Sequence, residues 1–232
     1  MINLLISLAA GILITFGVGA ILGGAEYGIV PGLVVMIAAY ILLARRTMKK
    51  VEVIMMQAQE HMKTQKVDKA IEVMKTAYPL GKMQFLVGSQ IDGQIGSVLF
   101  MTKKFKQAEP YLKRSFKRSW TPRAMLGVLY YKRKKFDDMI EAFEKAASFN
   151  KKEALLWNLY SYCLWKAGKK DEAIGALTRA LESLPEDEKT KVNLKALQNN
   201  KKMKMRGWNM MWYQFHLDSP PAQKQQHQFR RR

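Results

Sequence analysis

The clearest structural pattern in the chain lies in residues 157–185, WNLYSYCLWKAGKKDEAIGALTRALESLP. Apolar and small residues recur through it at helical spacing, Gly168 interrupts it near the middle, and Pro185 ends it. The flanking sequence has few Gly or Pro and sparse β-branched residues, so the polar part of the chain is predicted to be one helix after another. A chain of this kind is first tested for an internal repeat.

The pattern of this stretch recurs upstream. Ala173 corresponds to Met139, which lies 34 positions earlier, then to Ala108 at a distance of 31, and then to Ala70 at a distance of 38. The departures in spacing fall at the turns between units, where loops absorb changes in length at little cost. We therefore predict four units over residues 51–187, with good matches in the last two, a fair one in the second and a weak one in the first.

The pattern resembles the tetratricopeptide repeat (TPR), a helix pair with a period of about 34 residues. The resemblance implies an all-α fold: an α-solenoid of about four TPR-like helix pairs, with a C-terminal capping helix. A generic helical bundle is the alternative. The residues that carry the resemblance are Trp157, Leu164, Gly168, Asp171, Glu172, Ala173, Ile174, Leu177, Ala180 and Pro185.

The resemblance also implies a concave face lined by the first helix of each pair. An aromatic stripe beside a lysine stripe there would suit a protein partner with an acidic or apolar peptide segment. The alternative is that these side chains only pack against neighbouring helices. The family's clamp for a terminal carboxylate is not expected, since Met55 and Gln59 stand at the relevant positions. The residues carried over are Met62, Lys63, Phe100, Tyr131, Lys132, Asn158, Tyr162, Trp165 and Lys166.

Two apolar runs open the chain, at residues 2–22 and 27–44, and each is close to the about 20 residues that cross a bilayer as a helix. Residues 1–44 are therefore predicted to be a transmembrane helical hairpin. A buried helix pair of a soluble protein and a cleaved signal peptide are the alternatives. Small residues four apart indicate close packing, within the hairpin or against another membrane protein. They are Gly11, Thr15, Gly19 and Gly23 in the first run and Gly28 and Gly32 in the second.

A basic juxtamembrane linker at 45–50 follows the hairpin and contains Arg45, Arg46, Lys49 and Lys50. Because basic residues stay on the cytoplasmic side, residues 45–232 are expected to be cytoplasmic, and a bacterial inner membrane is the simplest host. The formal net charge is +20, and Glu26 is the only charged residue before Arg45, so the remainder carries +21. This charge favours acidic proteins and contact with anionic lipid. Nucleic acid is not the expected partner, because no recognition motif accompanies the charge.

Residues 188–217 are predicted to hold a polar capping helix, over 188–206, and an aromatic segment. Trp208, Met211, Trp212 and Phe215 have the spacing of one helical face. That face is predicted to dock on the last repeat or in the groove, with the membrane interface or a partner as alternatives. Residues 218–232 form a basic, Pro-broken tail that is predicted to be disordered.

No pattern of catalytic, metal-binding or phosphate-binding residues was found, so no enzyme activity, cofactor or small-molecule substrate is expected. Cys163 is predicted to be a core residue. The leading hypothesis is a membrane-anchored scaffold or adaptor that holds a protein partner at the cytoplasmic face, for assembly or recruitment of a complex. The alternatives are a peripheral binder of anionic lipid or nucleic acid, and a subunit of a membrane-embedded machine.

Overall fold

The computed structural model describes residues 1–219, and every regular element in that range is a helix. The chain divides into two compact units, one made of residues 1–98 and 110–116 and the other of residues 99–109 and 117 onward. The predicted disordered tail lies outside the described residues, apart from Asp218 and Ser219. The helices are α1 Ile2–Leu22, α2 Ala25–Lys63, α3 Val67–Lys75, α4 Leu80–Met83, α5 Val87–Met101, α6 Phe105–Arg114, α7 Trp120–Lys132, α8 Phe136–Phe149, α9 Ala154–Lys166, α10 Lys170–Ser183, α11 Glu188–Gln198 and α12 Met210–Tyr213.

In the first unit, α1 and α2 form an antiparallel hairpin around a tight turn. Gly23 ends α1 in the left-handed conformation with φ of 81°, and the N–H of Gly24 donates to the carbonyl of Gly19 at 3.0 Å. Small residues then let the two backbones approach. A side chain at Gly28 or Gly32 would collide with Thr15, and one at Gly11 would lie 2.8 Å from the Cβ of Met36. The small-residue ridge thus serves packing within the hairpin.

Helix α2 differs from the sequence prediction. The second apolar run was expected to end at 44 and to be followed by a separate linker at 45–50, but α2 continues unbroken to Lys63. Between residues 45 and 63 the chain contains strong helix formers and no Gly or Pro, so nothing interrupts the backbone hydrogen bonds. The basic residues at 45–50 therefore lie on a continuous helix.

A polar cluster joins the start of α1 to the middle of α2 and to the segment after α4. The buried Asn3 donates from Nδ2 to Oγ1 of Thr47 at 2.9 Å. Gln84 donates from Nε2 to the hydroxyl of Tyr40 at 2.9 Å, and the amino group of Met1 lies 2.7 Å from the carbonyl oxygen of Lys82. The first residues of α1 therefore lie at the same end of the hairpin as α4.

The first helix of each pair ends with the same turn motif. Four turns have a residue with positive φ, at Gln65, Lys103, Lys134 and Gly168, with spacings of 38, 31 and 34 residues. At each turn, the residue after the one with positive φ donates its backbone N–H to a carbonyl five residues earlier, as in the 3.0 Å bond from Lys169 to Leu164. These spacings match the repeat offsets predicted from the sequence.

Helix α11 ends with the same motif, which shortens the predicted capping helix. Asn200 has φ of 57°, and the N–H of Lys201 donates to the carbonyl of Ala196 at 2.7 Å. The helix was expected to run to 206 but ends at Gln198, because this motif turns the chain back. Helix α11 thus has the character of the first helix of a further pair.

The small positions that define the repeat lie where helices cross in the second unit. Ala173, Leu177 and Ala180 are fully buried. A Cβ at Gly127 would lie 2.6 Å from the ring of Phe143, which stacks on Tyr160 with ring centroids 5.1 Å apart. The predicted helix-pair packing is confirmed.

We expect two glycine-to-alanine substitutions in α9–α10 to change stability in opposite directions. Gly168→Ala should lower the free energy of unfolding by about 1 kcal/mol, because alanine is strained at φ of 85°. Gly175→Ala should raise it by about 1 kcal/mol, because Gly175 lies in exposed helix with open space around it. Denaturant titrations of both variants test the pair, and equal signs would contradict the assigned turn.

Candidate protein-binding face

The residues carried over from the repeat family fall mainly in the second unit. We call one set the first-helix face; its members share positions near the ends of α5 and α7 and along α9, and they are Phe100, Tyr131, Lys132, Asn158, Tyr162, Trp165 and Lys166. Met62 and Lys63 belong to the first unit, where the ammonium of Lys63 pairs with Glu60 at 2.7 Å.

The chain after α11 covers much of this face. We call residues 201–219 the return segment. It contains an extended stretch, a 3-10 turn at Arg206–Trp208 and the one-turn helix α12. The expected single helical face from 208 to 215 does not form, because Asn209 with φ of 50° breaks the helix. Trp212 and Phe215 are fully buried, whereas Met211 is 54% exposed. The predicted docking of the aromatic segment on the repeats therefore describes Trp212 and Phe215.

Aromatic rings supply the contacts of the helical part of the return segment. Trp212 meets Tyr162 edge to face, with ring centroids 4.8 Å apart. His216 lies 5.7 Å from the ring of Phe100, and Phe215 lies 6.5 Å from that of Trp120. Such contacts bury large apolar surfaces and fix the rings in defined geometries. The face therefore holds a polypeptide by aromatic anchors.

Buried amides hold the extended part of the return segment. The backbone N–H of Lys204 donates to Oδ1 of Asn193 at 2.6 Å. Asn193 in turn donates from Nδ2 to Oδ1 of Asn158 at 2.8 Å, and Asn158 donates to the hydroxyl of Thr190 at 2.7 Å. A side-chain amide that pairs with a peptide backbone binds a segment with little regard to its sequence. The buried Met205 lies beside this chain of bonds, with its Sδ 3.7 Å from Nδ2 of Asn193.

Sequence reasoning missed Asn193, Thr190 and Lys189, because the repeat frame was not continued past Pro185. The positive-φ residues at Gly168 and Asn200 are 32 positions apart, which places Thr190 where Asn158 stands in α9. A helix was predicted here, and continuing the frame by one more unit would have identified it as the first helix of a further pair.

One lysine of the first-helix face and one of α11 donate hydrogen bonds to backbone carbonyls of the return segment. Nζ of Lys132 donates to the carbonyl of His216 at 2.6 Å, and Nζ of Lys189 donates to that of Gly207 at 3.0 Å. Partial burial, and to a smaller extent the nearby Lys103, lowers the pKa of Lys132. Each ammonium thus donates to a neutral oxygen, and among residues 1–219 neither forms an ion pair with a carboxylate.

A cavity of about 600 Å³ lies between α9 and the extended part of the return segment. Its wall includes Trp165, Lys166, Lys202, Lys204 and Arg206. Nζ of Lys166 lies 4.6 Å from the centre of the Trp165 ring. The cavity therefore combines an aromatic surface with several cations, a combination suited to a carboxylate-bearing chain.

We expect docking of the return segment to weaken as the pH falls from 7.5 to 5.5. Burial, with Lys103 and Lys132 nearby, lowers the pKa of His216, while a hydrogen bond to the carbonyl of Met101 opposes the shift. His216 lines a second cavity together with these two lysines and Asp218. The folded pKa is thus below the usual value of about 6.5. A released His216 binds its proton more readily, so docking is fully stable above that value and is lost as the pH falls toward the folded pKa.

Hydrogen exchange of residues 201–216 at the two pH values, corrected for the intrinsic rate, tests this expectation. His216→Gln serves as the control, since it removes the titrating group. The same pH dependence in that variant would contradict the role of His216.

The part of the chain that the structure describes offers few groups for metal binding or nucleophilic chemistry. Residues 1–219 contain no cluster of His, Cys, Asp and Glu that could hold a metal ion. Cys163 is fully buried, and burial raises the pKa of its thiol far above the usual range. It is a core residue, as predicted.

Comparison with known proteins agrees with this architecture. The family profile "Tetratricopeptide repeat" matches residues 123–153, which cover most of α7 and all of α8. The chain is 35% identical over 69 residues to a peroxisomal targeting signal receptor of Candida albicans and 36% identical over 69 residues to that of Saccharomyces cerevisiae. The aligned part is 30% of this chain but only 12% and 11% of those relatives. The resemblance to the repeat is confirmed, and together these matches point to a non-catalytic role in protein interaction.

Proposed function

We propose that this protein is a membrane-anchored scaffold that binds a protein partner at the cytoplasmic face of a membrane and recruits it to, or assembles it into, a membrane-associated complex. One observation carries the proposal: the first-helix face holds a polypeptide, residues 201–219 of its own chain, through buried rings and backbone hydrogen bonds. A surface that can hold one segment in this way is chemically suited to hold another.

The character of α1 and α2 supports the membrane part of the proposal. Both are long and apolar enough to cross a bilayer, by length and composition only. Only 17% and 11% of their most apolar windows is buried, and Leu13 and Phe16 are 72% and 67% exposed. The core helices of a soluble protein bury such side chains, because their exposure to water is unfavourable. Lipid would provide the missing contact.

The basic residues after the apolar part of α2 support a cytoplasmic location of the repeats. Arg45, Arg46, Lys49 and Lys50 follow the apolar part of α2 directly, which favours a cytoplasmic location for the repeats. A bacterial inner membrane would be the simplest host. Digestion of residues 51–219 by a protease added outside intact cells would contradict this orientation, whereas digestion only after the cells are opened would agree with it.

The exposed part of the first-helix face suggests the partner's chemistry. With the return segment in place, Tyr131 and Trp165 remain partly exposed, and Lys132 and Lys166 remain exposed. Aromatic residues in such positions tend to dominate binding energy, and lysines attract acidic chains. We therefore expect a partner segment with acidic side chains and apolar anchors.

Affinity capture from native membranes, with crosslinking and the anchor intact, tests the proposal. Tyr131→Ala and Trp165→Ala should each reduce recovery of a defined partner at least about tenfold, since truncation of a central aromatic residue costs about 2 kcal/mol. Phe149→Ala is the matched control, because Phe149 is an aromatic residue that is 52% exposed on α8, away from the face. Equal recovery with all three variants would contradict a role of the face.

Contact with anionic lipid is a second candidate function, favoured by a cavity in the first unit. It has a volume of about 470 Å³ and is lined by Lys49, Lys50, Val53, Ile54 and Leu80, among others. The lysines follow the apolar part of α2, where each would gain about 1 kcal/mol near an anionic surface. Lys49→Gln with Lys50→Gln should weaken salt-sensitive binding of anionic lipid to the purified protein, with Lys152→Gln as control. Unchanged lipid binding would exclude this candidate.

A further inference from the structure

We infer that the return segment is an intramolecular substitute for the partner, and that the partner is an acidic segment with two aromatic residues three positions apart, which competes for the same face. This inference rests on the proposed function and extends it to the identity of the ligand. The partner would bind the first-helix face through an aromatic-x-x-aromatic motif with carboxylates beside it.

The two aromatic anchors define the motif. Trp212 and Phe215 are three positions apart and both are fully buried, whereas Met210 and Met211 are 74% and 54% exposed. Phe215 follows α12 in a turn in which its N–H donates to the carbonyl of Trp212 at 3.1 Å, and the two rings contact Tyr162 and Trp120. The face therefore buries the pair of rings, leaves the preceding Met210 and Met211 largely exposed, and half-buries Tyr213 and Gln214 between the rings.

The backbone contacts are open to any peptide. Asn193 accepts from a main-chain N–H, and Lys132 and Lys189 donate to main-chain carbonyls. None of these three bonds depends on the side chains of the return segment. A partner with the same spacing of rings could form all of them.

The charge of the return segment does not suit the face. The segment contains Lys201, Lys202, Lys204 and Arg206, with Asp218 as its acidic residue. The face adds Lys132 and Lys166, and Lys189 of α11 lies close by with its Nζ 4.4 Å from the centre of the Trp208 ring. Lys166 thus lines one cavity together with Lys202, Lys204 and Arg206 of the segment, and Asp218 is the acidic residue in that wall. Acidic residues in a competing segment would turn the repulsion between these cations into charge-assisted hydrogen bonds.

Two indole N–H groups of the return segment also weaken its docking. Within the described residues, Nε1 of Trp208 and Nε1 of Trp212 are buried without a hydrogen-bond acceptor. A buried N–H that loses its bond to water without replacement disfavours the docked state. A phenylalanine at either place would avoid this penalty. The return segment therefore fits the face in shape, but its basic side chains and its two unpaired indole N–H groups weaken its binding. A segment without these features could displace it.

The first test uses the unmodified full-length protein in detergent and a synthetic peptide. The peptide carries the sequence Trp-Asn-Met-Met-Trp-Tyr-Gln-Phe, as in residues 208–215, with two glutamates at each end. We expect saturating peptide to speed hydrogen exchange at residues 201–216 while exchange in α8 stays unchanged. Unchanged exchange at 201–216 with the peptide bound, or no binding, would overturn the inference.

Two control peptides separate the contributions. Replacement of the second Trp and the Phe by Ala should abolish binding, because it removes the anchors. Replacement of the glutamates by lysines should weaken binding at least about tenfold at low salt, and this difference should shrink at about 0.5 M salt, where charges are screened. Equal binding of the acidic and basic peptides would contradict the charge argument.

Variants of the full chain provide the second test. Trp212→Ala with Phe215→Ala should bind the acidic peptide at least about tenfold more tightly than the natural chain, because no anchor has to leave first. Met211→Ala is the matched control, since Met211 is exposed and adjoins Trp212, and it should bind like the natural chain. Circular dichroism verifies that the variants are folded. Equal affinity of the double variant and the natural chain would overturn the inference, and the exchange experiment decides the matter if the double variant unfolds.

The outcomes distinguish this inference from the proposed function. A membrane partner that depends on Tyr131 and Trp165, together with an immobile return segment, supports the proposed function and rejects the inference. Displacement of the segment by the peptide, without any partner at native membranes, supports the inference and rejects the proposed function.

Discussion

Gly28→Ile should break the close packing of the N-terminal hairpin. A Cβ at Gly28 would collide with the backbone carbonyl of Thr15, and backbone cannot move aside as a flexible side chain can. Overpacking typically costs about 1–3 kcal/mol. Because the obstacle is backbone, we expect more than about 3 kcal/mol here and a loss of contact between α1 and α2. Unfolding of the purified protein by titration with a denaturing detergent measures the change.

Gly17→Ile is the matched control for this substitution. Gly17 lies on α1 with no neighbouring atom within 4 Å, so an isoleucine there meets open space. We expect its midpoint of unfolding to stay close to that of the natural chain. A similar loss in both variants would mean that bulk in the hairpin, and not the contact between Gly28 and Thr15, determines stability.

Phe143→Ala should destabilise the repeat domain by about 3–5 kcal/mol. Phe143 is fully buried, stacks on Tyr160 at 5.1 Å and fills the space that Gly127 leaves open. Truncation leaves a cavity between α7, α8 and α9 that the surrounding helices can close only in part. Chemical denaturation, followed by the helical circular dichroism signal, measures the loss.

Phe149→Ala tests the same chemical change on the same helix at an exposed position. Phe149 is 52% exposed, and the guanidinium of Arg118 lies 5.7 Å from its ring centre. We expect a change below about 1 kcal/mol, because little buried surface is lost. A large effect at Phe149, or a small one at Phe143, would contradict the assignment of the repeat core to the pair α7–α8 and its neighbour α9.

These two predictions concern the two parts on which the proposed function depends. Under that proposal the hairpin would hold the repeats at a membrane, while the core of α7–α9 positions the first-helix face. Neither substitution touches the buried amides Asn158 and Asn193. A loss of partner binding in the Phe143 variant would therefore report on the position of the face and not on its chemistry.

Short-range pattern was enough to predict the helices and their pairing. The small residues Ala173 and Ala180, the turn at Gly168 and the spacing of 34 to Met139 all reflect local requirements of a helix pair. They can be found in sequence because helical periodicity and turn chemistry depend on neighbours within a few positions. The small residues of the hairpin were predictable for the same reason.

Local sequence patterns were therefore sufficient to predict an all-α chain with an apolar helix pair, a series of TPR-like pairs and an aromatic segment after them. The folded molecule was needed to see that α2 continues through the basic residues and how residues 201–219 return across the first-helix face. Asn158 and Asn193 are 35 positions apart, and Lys132 and His216 are 84 apart. Contacts of this kind depend on the shape of surfaces that exist only after the helices have packed, so no local pattern in the sequence announces them.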